Sequence, residues 1–137
     1  MRPLIFTALF LFMGCSSGLV YKTAPADKLI PAQMARLTGE VHPWGLYFTA
    51  LAQADGDSVR LIVLSEIGLK LLDLNVTPEE TAVYYKFEKL PDAAAGAFGR
   101  FARASLLQPC PPKNLSFTDP RTRAVFKASV QGAKICL

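Results

Sequence analysis

The sequence predicts an α+β domain, an antiparallel β-sheet with one covering helix, preceded by a signal peptide. Three observations lead there. The 137 residues are 51% hydrophobic and 19% charged, which suits one compact core and argues against disorder. Between Trp44 and Phe87, four short β-rich runs are divided by polar turns. One later segment, Ala93 to Leu107, spaces its apolar residues at a helical period. No apolar run reaches the roughly 18 residues that span a bilayer. The 9 Gly and 10 Pro have no period, which excludes a collagen-like chain.

In chain order, residues 15–26 lack periodicity and read as a flexible tether, and residues 27–137 as a single domain. Asp27 to Leu37 suits a short helix, with Pro31 in its first turn and Gly39 as its stop. Trp44 to Gln53 puts Trp44, Leu46, Phe48 and Ala50 on one strand face, and Asp55-Gly56-Asp57 is a hairpin turn. Val59 to Leu64 is a second strand, and Ser65-Glu66-Ile67-Gly68 turns the chain. Leu69 to Val76 and Thr81 to Phe87 complete a meander, with Val83, Tyr85 and Phe87 on one face of the last strand. Pro91-Asp92 starts the helix, with Asp92 as N-cap. Ala94, Phe98, Phe101, Ala102 and Ser105 form its buried side, and Arg100 and Arg103 lie opposite. Gly96 and Gly99 suit close packing on the sheet, and Pro109, Pro111 and Pro112 end the helix. Asn114 to Thr118 and Arg123 to Val130 read as strands around an Asp119-Pro120 turn, and Ala133 to Leu137 as a last strand.

The first 14 residues have the form of a leader. Arg2 gives a positive start, Leu4 to Met13 is apolar except for Thr7, and small residues follow from Gly14 to Gly18. Leu11-Phe12-Met13-Gly14-Cys15 resembles the lipobox of bacterial lipoproteins. In that family the Cys thiol takes diacylglycerol, the leader is cut before it, and the new amino group is usually acylated. The resemblance implies residues 1–14 as a lipoprotein signal peptide and Cys15 as the lipid attachment site. It also implies a membrane partner held through acylated Cys15. Ser16 resembles the outer-membrane-directed form, so the chain is expected to be lipid-anchored there and to face the periplasm. An ordinary secretory cut after Ser16 or Gly18 stays open.

The cysteines are Cys15, Cys110 and Cys136, an odd number for an oxidising compartment. Lipid on Cys15 leaves a pair. Cys110 and Cys136 then read either as one disulfide or as two separate buried thiols.

Charge is uneven. Cys15 to Gly99 carries a net −3, and Arg100 to Leu137 a net +6. The basic end suits anionic headgroups, an acidic partner or a plain solvated face. Nucleic acid is not expected, since no aromatic-basic stacking motif is present. His42 alone makes no metal site, and it reads as a turn or surface residue. The sequence has no G-x-S-x-G, S-x-x-K, G-x-G-x-x-G or P-loop. Glu79-Glu80 is a carboxylate pair on an exposed turn, where pKa shifts are small. Asn75-Val76-Thr77 and Asn114-Leu115-Ser116 match a glycosylation pattern that a bacterial source makes idle. An enzyme and a cofactor are therefore not expected.

Leader, tether, consecutive strands, helix and further strands are together similar to the LolA/LolB-like lipoproteins. The matching stretch is Trp44 to Leu107, and the Arg60 to Leu72 strand-turn-strand unit resembles that of small lipoproteins with this fold. The resemblance implies a curved, half-barrel-like antiparallel sheet with an apolar cavity for acyl chains. By parity, Ile62, Leu64, Leu72 and Leu74 read as a second apolar face, opposite Leu61, Val63, Leu69 and Leu71. That face is expected to meet a ligand, a partner or a second layer built from Asn114 to Leu137. Two functions follow. One is a carrier of lipid or acyl chains. The other is a non-enzymatic interaction lipoprotein that presents its basic C-terminal region to an envelope partner.

Overall fold

The computed structural model describes residues 18–25, 34–108 and 111–132. The leader expected over residues 1–14, Cys15, Cys110, Cys136 and the strand expected over Ala133 to Leu137 lie outside them. The elements are β1 Leu19–Tyr21, β2 Ala35–His42, β3 Leu46–Asp55, β4 Ser58–Ser65, β5 Lys70–Val76, β6 Thr81–Lys86, α1 Asp92–Ser105, β7 Asn114–Thr118 and β8 Val125–Gln131. They build an open sheet in the order β1-β6-β5-β4-β3-β2-β8-β7, antiparallel except where β1 joins β6.

The expected meander gains a strand at its front. Of the expected helix, residues 34–37 are described, with Met34 before β2 and Ala35 to Leu37 opening it, and residues 27–33 lie outside the described ones. Gly39 is not a helix stop. It sits mid-strand, where a Cβ would lie 2.9 Å from the Ala128 Cβ and closer still to the Lys127 carbonyl oxygen. Sequence reasoning took this glycine for punctuation, whereas it serves the approach of β2 to β8. Trp44 belongs to the β2–β3 turn, which holds a cis His42–Pro43 bond. Leu46, Phe48 and Ala50 share a face as expected, since they pair with Val41, Gly39 and Leu37. Within the expected tether, Leu19–Tyr21 forms β1. Thr81 N–H donates to Gly18 O, Lys22 N–H donates to Val83 O, and the Tyr21 hydroxyl donates to Asp92 at 2.6 Å.

Helix α1 covers one face of the sheet. Its buried side is the expected one, with Ala94, Phe98, Phe101, Ala102 and Ser105 all inside. Two details differ. The N-cap is Pro91, and Asp92 stands in the first turn, where its charge suits the helix dipole. Arg100 and Arg103 are not left to solvent, because loops of the sheet rise to meet them. Arg103 donates to the Thr77 carbonyl and to Thr81 Oγ1, and Arg100 pairs with Asp119. Gly99 packs on β6 as expected, since a Cβ there would lie 2.5 Å from Thr81 Oγ1.

The space between helix and sheet is filled. Phe98 meets Phe126 at 5.0 Å and Phe48 at 5.2 Å, both edge-on, and Phe101 stacks on Phe126 at 4.9 Å. Leu37, Leu61, Val63, Leu72, Leu74, Val76 and Val83 close around them, all buried. Aromatic pairs in these geometries each contribute about 1 kcal/mol beyond their area.

Two bulges break the simple alternation. One lies between Val63 and Leu64, the other between Asp73 and Leu74. Each leaves one residue unpaired and turns the following side chains over. Val83 therefore faces the helix, while Tyr84 and Tyr85 meet cations of the outer face, Arg60 at 4.7 Å and Lys70 at 5.3 Å. Of the three residues expected on one face, Val83 is in the core and Phe87 packs against it, while Tyr85 is turned outward.

Candidate functional site

The four residues expected as one ligand or partner face are divided. Leu72 lies opposite Val63 and Leu74 opposite Leu61, so both belong to the core under the helix and are fully buried. Ile62 and Leu64 lie on the outer face, beside Leu51 and Thr49, and are half-buried. Counting from Ile62 through the turn missed this, because the register of β5 is set by the β4–β5 pairing and its bulge. Asp73 lies opposite Ile62 on the outer face. It is buried by a two-point ion pair with Arg60, at 2.5 and 2.7 Å, and Lys70 stands 3.3 Å away. The hydrogen bond to Asp73 holds the Arg60 guanidinium above its usual range, against the cost of burial.

The outer face changes character across β3, β2, β8 and β7. Thr49, Thr38, Ser129 and Asn114 are successive cross-strand partners and form one polar row. Tyr47, Glu40, Lys127 and Ser116 form the next. Strand alternation explains both, since the residues between them (Phe48, Gly39, Ala128 and Leu115) face the helix side. The rows line an open groove of about 650 Å³, with Glu66 at its rim. Tyr47 is exposed there, and Glu40 accepts from His42 at 3.2 Å. His42 is thus a surface residue, as expected, at the end of β2.

The groove ends at β7, the last strand of the sheet. Around it stand Lys113, Arg121, Arg123 and Lys127, all exposed. The cations from Arg100 to Leu137 are thereby sorted. Arg100 and Arg103 serve the fold, these four face solvent, and Lys134 lies outside the described residues. Asp119 is the single acidic residue from Arg100 to Leu137, and it is turned inward and fully buried.

Asp119 holds the turn that carries Arg121 and Arg123. Arg100 donates to it at 2.5 and 3.0 Å, and the Thr122 hydroxyl and amide donate at 2.5 and 3.0 Å. Burial pushes its carboxyl up, but the Arg100 and Thr122 donors outweigh burial and bring it down to about 2. Backbone bonds Asp119 N–H to Ala124 O and Arg123 N–H to Asp119 O close the turn, with Arg123 at φ 62°.

A smaller apolar pocket of about 380 Å³ opens at the helix N-terminus, lined by Trp44, Leu46, Leu90, Pro91, Ala94 and Thr122 among others. Among the described residues, no group of His, Cys, Asp and Glu is arranged to hold a metal ion, and no helix is long and apolar enough to cross a membrane. Every buried side-chain nitrogen or oxygen among them has a partner.

Sequence reasoning missed the groove. Its signal was present in two runs: Arg36, Thr38, Glu40 and His42 alternate with Leu37, Gly39 and Val41, and Lys127, Ser129 and Gln131 with Phe126, Ala128 and Val130. Reading Gly39 as a stop hid the first run. Compared with protein-family models, curated proteins and solved structures, the chain matches none of them.

Proposed function

We propose that this protein is a non-enzymatic interaction module of the bacterial envelope. It is held at the outer membrane through acylated Cys15 and presents its basic β7–β8 hairpin to an acidic partner. One observation carries this reading. Lys113, Arg121, Arg123 and Lys127 are all exposed around one hairpin, while the only acidic side chain between Arg100 and Leu137 is turned inward onto Arg100. A surface of one sign speeds encounter with a partner of the other. The rigid base of the hairpin, fixed by the Asp119 pair, supports the same reading, because preorganised surfaces lose less entropy on binding.

The test is site-specific photo-crosslinking in the envelope from positions 121 and 123, with a probe at position 57 as control. The expected result is one adduct with an acidic protein, weakened by salt and lost when Lys113, Arg121, Arg123 and Lys127 are changed to Gln. Adducts of equal yield from position 57, or adducts with lipid alone, would reject it.

The lipid-carrier reading rests on the pocket beside Trp44 and on the two bulges, which suit a sheet curved in the half-barrel manner. Native mass spectrometry of the protein freed of its anchor decides between the two, since a carrier retains lipid and the interaction module does not.

A further inference from the structure

We propose that the open edge of β7 accepts an extended acidic segment of the partner as an added strand, with apolar residues at its alternate positions. This rests on the reading of the basic hairpin as the interaction surface, and it names how that surface binds.

The backbone supplies the first argument. Val130 N–H donates to Lys113 O at 2.7 Å, and Asp119 N–H donates to Ala124 O at 2.8 Å. These bonds bracket the β7–β8 ladder. Antiparallel bonding alternates, so Lys113, Leu115, Phe117 and Asp119 turn their backbone groups to β8. Asn114, Ser116 and Thr118 then turn theirs outward, where no described strand pairs with them. Edge strands are usually blunted by a charge or a proline within the strand. Asn114–Thr118 holds neither, and Pro112 and Pro120 stand just outside its two ends. Among the described residues, the edge is open over the length of β7, with a proline beyond each end.

The side chains supply the second. On the groove side, Asn114, Ser116 and Thr118 are short and exposed, with Lys127 directly behind Ser116 in register. Lys113 stands at one end of the strand, Arg121 and Arg123 at the other. Acidic side chains on the groove side of an added strand would meet Lys127 in the middle, and cations stand just beyond both ends of β7. On the helix side, Phe117 packs against Phe101 and Phe126 yet stays half-exposed. An apolar residue opposite it would complete its cover. Strand addition of this kind takes affinity from the backbone and specificity from alternate side chains.

Charge also separates this occupant from a second copy of the chain. A copy added antiparallel about Ser116 would set the Lys113 end of one chain beside the Arg121–Arg123 end of the other. Like charges placed so disfavour the pair.

The experiment uses the full chain and a short synthetic peptide of alternating Glu and Val, read by amide exchange and fluorescence anisotropy. The Ser116 and Thr118 amides are expected to gain protection when the peptide binds. Methylating the peptide's backbone nitrogens that face β7 is expected to weaken binding by about tenfold or more, as is Ser116→Pro. The methylated peptide keeps the test valid if that variant folds poorly. Binding that leaves both amides unprotected and ignores methylation would overturn the edge proposal and spare the basic-surface reading. Failure of both this peptide and polyglutamate to bind at low salt would overturn the two together. A dimer with both amides protected before any peptide is added would make a second copy the occupant and reject the acidic segment.

Discussion

Changing Arg100 to Met tests how the fold holds the basic turn. Met keeps much of the aliphatic volume of Arg100 and removes the guanidinium that meets Asp119 at 2.5 and 3.0 Å. Asp119 is fully buried, so the variant leaves a carboxylate in the interior with only the two Thr122 donors. Removing one partner of a buried pair costs about 3–5 kcal/mol, and the Thr122 bonds favour the lower end. At roughly 4 °C per kcal/mol for a domain of this size, the melting temperature should fall by about 10–15 °C at neutral pH. The pH dependence carries the sign. In the native protein the carboxyl is lowered from 3.8 to about 2, so its stabilising contribution is complete above the unfolded value. That contribution is lost as pH falls from about 4 to about 2, on the order of 1–2 kcal/mol after solvent screening is discounted. In the variant, burial acts with less opposition and raises the carboxyl, so the deficit should shrink as acid protonates it. The assay is thermal unfolding of both proteins across this range. A neutral-pH loss below about 1 kcal/mol, or a deficit that does not change with pH, would refute the reasoning.

Gly99→Ala should destabilise the protein although it improves helix propensity by about 1 kcal/mol, because the new Cβ meets Thr81 Oγ1 at 2.5 Å and Cγ2 at 2.9 Å. A higher melting temperature would refute that contact, and Thr81→Ala should relieve it. Leu72→Asn and Leu74→Asn should each cost several kcal/mol in chemical unfolding, and Ile62→Asn and Leu64→Asn clearly less, because only the first two are fully buried. Tyr21 should ionise at about 12 in an alkaline absorbance titration, because its hydroxyl donates to Asp92, and Asp92→Asn should lower it. Cys15→Ala should leave an uncut precursor without fatty-acid label. Alkylation of the exported protein should find Cys110 and Cys136 blocked, since lipid on Cys15 leaves them as a pair.

Much of the architecture was legible because local rules act over a few residues. The alternation and turns between Leu46 and Lys86, the helix with its buried Phe98 and Phe101, and the β7–β8 hairpin are each specified by short-range pattern. The apolar run before Gly14-Cys15 and the uneven charge are properties of the sequence itself and need no fold to be read. Tertiary structure decided what pattern cannot carry. Gly39 has the same identity in a helix stop and in a strand, and only the approach of β8 selects the second. Leu72 and Leu74 went to the core, because strand pairing and a bulge set their facing, not the count of residues from Ile62. Arg100 and Arg103 looked like a solvated helix face until the β5–β6 and β7–β8 turns met them. The groove and the open edge of β7 come from strands far apart in the chain. Side-chain period tells a residue which side of its own strand it occupies, and long-range pairing alone tells it which neighbours share that side.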